Sequence, residues 1–203
     1  MMRDAKTKLF ITLLGMLFLI GVTGCKQQAS TQKFHSTDIT GVDFGTNFQL
    51  TDHNGKVRTL ADFKGKAVVM FFGYTNCPDV CPTTLSDLAQ ALVLLGKDAD
   101  KVQVLFVTVD PARDTQALLA KYVPAFNPGF LGLFGDEAAT AKVAKDFRIF
   151  YQKHKSKSTD SQRYDVDHTA GTYVFDQSGK LRLFMSYGKG AEIIAQDLRA
   201  LLN

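Results

Sequence analysis

Apolar residues along this chain recur at three different spacings, and each change of spacing marks an element. Phe48-Gln49-Leu50-Thr51 and Val57-Arg58-Thr59-Leu60 alternate apolar and polar positions around Asp52-His53-Asn54-Gly55, the period of half-buried strands joined by an Asn-Gly hairpin turn. Ala67 to Phe72 is an unbroken apolar run between Gly65 and Gly73, as in a strand covered on both faces. Thr83 to Leu95 then places Leu85, Leu88, Leu92 and Leu95 at helical spacing, with Gly96 as the stop. Val102 to Val109 repeats the buried-strand pattern, and Asp110-Pro111-Ala112-Arg113-Asp114-Thr115 leads into a helix ending near Val123. Phe130 to Phe134 predicts a short strand and Glu137 to Phe147 a helix. Tyr173 to Phe175 and Leu181 to Ser186 flank Asp176-Gln177-Ser178-Gly179 as a second hairpin, and Ala191 to Leu202 closes the chain as an amphipathic helix. Strand, helix, strand, helix is the rhythm of a parallel sheet with right-handed crossovers, so the order predicts a mixed α/β domain.

The N-terminus changes the picture of where that domain works. Arg3, Lys6 and Lys8 precede a charge-free, mostly apolar stretch from Leu9 to Val22. It is short for a membrane span and suits a signal-peptide core. Val22-Thr23-Gly24-Cys25 resembles a bacterial lipobox, in which Cys25 is diacylated and becomes the first mature residue. The expected organisation is a lipoprotein signal peptide at 1–24, a lipid-anchored flexible tether at 25–43 and a folded domain at 44–203. The domain would sit in the bacterial cell envelope, facing the periplasm or extracytoplasmic space, tied to the lipid bilayer through Cys25. Loss of Arg3, Lys6, Lys8 and Asp4 lowers the net charge from +4 to +2. With no basic block interleaved with aromatics, no nucleic-acid partner is expected, and Lys153-His154-Lys155-Ser156-Lys157 reads as a solvated loop.

Gly73-Tyr74-Thr75-Asn76-Cys77-Pro78-Asp79-Val80-Cys81-Pro82 puts a C-x3-C pair between an apolar strand and an apolar helix. Positions i and i+4 share a helical face, so both sulfurs can converge on one ion. A helix N-terminus favours thiolates, and Pro82 suits the first turn. Thiolates form disulfides in an oxidising compartment and also bind Cu(I) and Zn(II), so two readings compete for the same atoms. Of the four histidines, His35 falls in the tether, His53 in a turn and His154 in a polar loop, where each reads as a solvated surface residue. His168, in Asp167-His168-Thr169, stands just before an apolar strand.

The element order from about residue 44 onward resembles the thioredoxin fold with an added N-terminal β-hairpin. In thioredoxins a cis-proline faces the active-site disulfide; here Gly171 aligns with it and His168 lies just upstream, which favours metal binding over generic disulfide exchange. The cysteine segment, Asp110-Pro111-Ala112-Arg113-Asp114-Thr115 and Asp167-His168-Thr169 together resemble the Sco/SenC family. Asn76 stands where family members often carry histidine, at a position that is not a ligand. The resemblance implies a thioredoxin-like copper chaperone for the binuclear copper centre of cytochrome c oxidase. Its implied ligands for Cu(I) or Cu(II) are Cys77, Cys81 and His168, and its implied partners are the copper-bearing oxidase subunit and a copper donor protein.

Asp79 and Asp167 are outer-shell candidates, or else a helix cap and a solvated acid. Asp110 lies at the carboxyl end of a strand, where ligands collect in α/β sheets; with Arg113 and Asp114 it reads more simply as a cap and ion pair that fixes the loop. Phe71, Phe72 and Tyr74 read as core and rim packing. The polar run Ser156 to Arg163 is expected to be mobile without metal. The rival functions are a thiol–disulfide reductase that keeps oxidase cysteines reduced through Cys77 and Cys81, and a copper buffer or redox sensor. A peroxidase is disfavoured because no Thr-plus-Cys peroxidatic motif occupies the thiol loop.

Overall fold

The computed structural model describes residues 34–155 and 164–203. The expected leader, Cys25 and the run Ser156 to Arg163 lie outside the described residues. The domain, expected to start at residue 44, is already anchored by residue 35. The buried Asp197 carboxylate accepts the N–H groups of His35 at 2.7 Å and Ser36 at 2.9 Å. Strand β1 (Thr37–Asp38) then pairs antiparallel with β10 (Leu181–Ser186).

Strand β4 (Ala67–Gly73) is the centre of the main sheet and is buried along its whole length. It runs parallel to β5 (Val102–Thr108) and antiparallel to β9 (Gly171–Phe175), while β6 (Leu131–Phe134) runs parallel to β5. At the far edge β2 (Gln49–Asp52) and β3 (Val57–Thr59) pair antiparallel. The full order is β1-β10-β9-β4-β5-β6-β2-β3. His53 departs from its expected solvated place: it is buried, and its Nδ1 accepts the Gly132 N–H at 3.0 Å. That bond satisfies two polar groups where the turn of the β2–β3 hairpin rests against β6.

Helices α1 (Val80–Leu95) and α2 (Gln116–Tyr122) make the crossovers from β4 to β5 and from β5 to β6. Both step in the same direction, so right-handed connections put both on one face of the sheet. There Tyr122 meets Phe106 at a ring separation of 5.9 Å and Phe106 meets Phe71 at 6.0 Å. Helix α4 (Gly190–Leu202) packs against α1. The other face is closed after α3 (Glu137–Asp146) by Phe147, whose ring lies 5.4 Å from Phe72 and 5.7 Å from Tyr173. Side-chain alternation along β4 explains the split: Phe71 and Gly73 face α1, and Phe72 faces Phe147. Each of these buried phenylalanines contributes about 1.5–3 kcal/mol.

A second sheet has only two strands, β7 (Tyr151–Lys155) and β8 (Tyr164–His168), paired antiparallel with Tyr151 opposite His168. Lys153, His154 and Lys155, expected in a loop, are strand residues with exposed side chains.

Candidate metal centre

The sulfur side of the site is built where β4 stops. A methyl group on Gly73 would lie 2.9 Å from Cys81 Sγ and 2.9 Å from the Phe106 ring. Only glycine leaves room for the thiol to approach the strand this closely. Asp114, buried, fixes the following turn by accepting the Thr75 N–H at 3.0 Å, the Thr75 hydroxyl at 2.6 Å and the Thr108 hydroxyl at 2.6 Å. Its burial raises the carboxyl pKa even though these hydrogen bonds oppose the shift. Helix α1 starts at Val80, earlier than Thr83, so Cys81 and Pro82 both fall in its first turn. The missing Pro82 N–H is no loss there, since the first N–H groups have no intrahelical acceptor.

Cys81 is fully buried and Cys77 partly exposed, and both are free thiols. Their electrostatics differ sharply. The Cys81 thiol donates to Cys77 and holds the Cys77 pKa down at about 4, against the penalty of burial, with help from His168 and the N–H groups of Cys81 and Asp79. Cys81 moves the opposite way, upward, because it is the donor of that bond and is buried beside the Cys77 charge. The metal-free pair is one thiolate solvated by one thiol.

His168 ends β8 with Nε2 at 3.6 Å from Cys81 Sγ. Its Nδ1 lies 3.1 Å from the Thr169 carbonyl oxygen. A carbonyl only accepts, so Nδ1 carries a proton there and Nε2 is the ring nitrogen turned toward the sulfurs. The Tyr74 and Phe71 rings approach the imidazole edge-on, at 5.9 and 6.3 Å. Tyr74 and Phe71 therefore form the wall of the site, while Phe72 is core alone. Cys77 Sγ, Cys81 Sγ and a His168 ring nitrogen all lie within 4.8 Å of one another.

Among the described residues no carboxylate joins this group as a donor, and the three acids expected around it take different places. The Asp79 side chain is exposed and accepts a long bond, 3.4 Å, from the Thr83 hydroxyl; it is the Asp79 N–H that supports the Cys77 thiolate. Asp167 points outward, toward His154 Nδ1 at 3.5 Å, because strand alternation turns it away from the face that carries His168. Asp110 is buried but paired with Arg113 and the Tyr164 hydroxyl, as the cap-and-ion-pair reading has it. The Thr169 carbonyl, the Tyr74 ring and, through Thr75, Asp114 also touch or orient the donors.

Two sulfurs and one imidazole nitrogen suit a soft or borderline cation such as Cu(I), and three donors leave the ion accessible. A thioredoxin-like sheet with such a group at the start of α1 defines a soft-metal-binding thiol domain. The SCO1/SenC family profile matches residues 36–203, and the chain belongs to that family. It is 37% identical over 176 residues to the mitochondrial SCO2 homolog of Bos taurus, covering 86% of this chain and 64% of that one, so it spans under two thirds of that relative's length. Copper-bound ScoI of Bradyrhizobium japonicum is 44% identical with a TM-score of 0.68, covering 78% of this chain and 99% of that one. Apo Sco1 of Thermus thermophilus is 40% identical with a TM-score of 0.74, covering 85% and 99%.

Proposed function

We propose that this chain is a copper-binding metallochaperone that delivers copper to, or matures, the binuclear copper centre of cytochrome c oxidase. The observation that carries the reading is the convergence of Cys77, Cys81 and His168, a donor set for copper in a chain whose relatives include copper-bound ScoI. In this reading Cys77 and Cys81 are the thiolate ligands and His168 the imidazole ligand. Cys77 receives the ion first, being already ionised and partly exposed, and Cys81 gives up its proton as the ion binds. Copper is the cargo, and an open three-donor site suits release to the copper-bearing oxidase subunit. The domain works in the bacterial cell envelope, held at the bilayer by a lipid on Cys25, and is loaded by a copper donor protein.

A second reading is favoured by the unequal thiols. Cys77 has the ionisation and exposure of an attacking thiolate, and Cys81 those of a resolving thiol. Cys77 would attack a client disulfide and displace one client thiolate; Cys81, deprotonated, would then displace the other. The client dithiol and a Cys77–Cys81 disulfide result. Disrupting the gene and complementing it with Cys77→Ser, Cys81→Ser or His168→Ala separates the readings. The chaperone reading expects oxidase that lacks its binuclear copper in all three. Full copper loading with His168→Ala and none with either cysteine variant would favour the reductase, and full loading in the disrupted strain would remove both.

A further inference from the structure

The buried Asp110 carboxylate is where the loop after β5 meets the β7–β8 ribbon. One oxygen accepts Arg113 Nε, while the other accepts the Tyr164 hydroxyl at 2.7 Å and faces Lys153 Nζ at 3.8 Å. Arg113 completes the contact: Nη1 donates to the Tyr164 carbonyl at 2.8 Å, and the guanidinium lies 3.6 Å over the Tyr164 ring. Lys153 belongs to β7 and Tyr164 to β8, so both strands of the ribbon are tied to one residue of the main domain.

Side chains alternate along a strand, so Tyr164, Val166 and His168 share one face of β8. Tyr164 meets Asp110 and Arg113, Val166 is buried with its N–H 3.5 Å from the Tyr74 hydroxyl, and His168 meets Cys81. A one-residue slip would turn Asp167 toward the sulfurs and His168 to solvent. The ribbon is not a strand neighbour of the main sheet, so no ladder of backbone hydrogen bonds sets this placement. Beyond the short link from His168 to β9, contacts made by side chains of the main domain do so.

We propose that Asp110, Arg113 and Tyr164 are positioning residues for His168: they lock β8 in register on the domain and hold Nε2 at the sulfurs before metal arrives. None of the three touches a donor atom. The proposal rests on the three-donor reading given above.

Tyr164→Phe removes one hydroxyl and keeps the ring beneath Arg113; Arg113→Lys keeps the charge beside Asp110 and removes the carbonyl bond and the stacking. Both are made in the full chain. In metal-free protein, amide exchange at Val166 and His168 is expected to quicken at least about fivefold in each variant, with β4 unchanged. In competition with a chromophoric Cu(I) chelator, Tyr164→Phe is expected to weaken Cu(I) retention about tenfold, and to add nothing in a His168→Ala background. A general loss of stability would weaken both backgrounds equally. Equal weakening, or unchanged exchange at Val166 and His168, overturns the proposal. His168→Ala retaining Cu(I) as the native chain does would instead contradict the three-donor reading, while the exchange measurement still decides whether Tyr164 holds the ribbon.

Discussion

Cys81 lies against the end of a seven-residue strand buried at every position, whereas His168 ends a strand whose ribbon partner, β7, is exposed at four of five positions. The sulfur side is continuous with the core: Gly73 admits the thiol, Phe71 and Phe106 back it, and Asp114 staples the turn to Thr108. The imidazole side is docked by a few polar contacts and two aromatic walls. One donor set is thus assembled from a part continuous with the core and a part docked on it through fewer contacts. For the proposed copper cargo, loss of the His168 contact would leave the two sulfurs in place.

Breaking the sulfur side carries the largest effects. Phe71→Ala removes a fully buried ring that touches both Phe106 and His168, and is expected to cost about 3–5 kcal/mol in denaturant unfolding. Asp114→Ala leaves the Thr75 N–H and two hydroxyls without their acceptor. The expected loss is about 2–3 kcal/mol, with faster alkylation of Cys81 in the metal-free protein; unchanged Cys81 labelling would show that Asp114 does not hold the turn.

A smaller effect follows from the thiolate. The Cys77 thiol falls from its usual 9.0 to about 4, so between those values the unfolded chain binds a proton that the folded chain does not. Its contribution to stability is complete above about pH 9 and is lost as pH falls through about 4. Partial exposure of Cys77 reduces its size. The gap in stability between the native chain and Cys77→Ser is expected to narrow as pH is lowered across this window; a gap independent of pH contradicts the assignment. Smallest is Asp167→Asn, which alters an exposed pair with His154 on the outer face of the ribbon. Melting is expected to stay within about 0.5 kcal/mol of native stability.

The same contrast decides what was legible in the sequence. The sulfur side announces itself, because Ala67 to Phe72 and Val102 to Val109 are apolar runs and the cysteines sit between a strand and a helix. His168 was legible from its place before the next apolar strand. The ribbon that carries it was not: Tyr151 to Lys155 docks through neighbouring side chains, buries almost nothing of its own, and so shows no apolar alternation. Asp167 was open to two readings, an outer-shell partner of His168 or a solvated acid, and its side chain is exposed; the Thr169 carbonyl faces His168 Nδ1, a backbone contact that residue identity does not encode. His53 misled because a polar turn residue is buried only when another strand, here β6, supplies a donor.

X-ray absorption on the Cu(I)-loaded full chain, native and His168→Ala, decides whether Cys77, Cys81 and His168 hold the ion together. Two sulfur scatterers and one nitrogen scatterer are expected in the native protein, with loss of the nitrogen and both sulfurs kept in the variant. A native spectrum of sulfur alone, unchanged by His168→Ala, would contradict the three-donor reading.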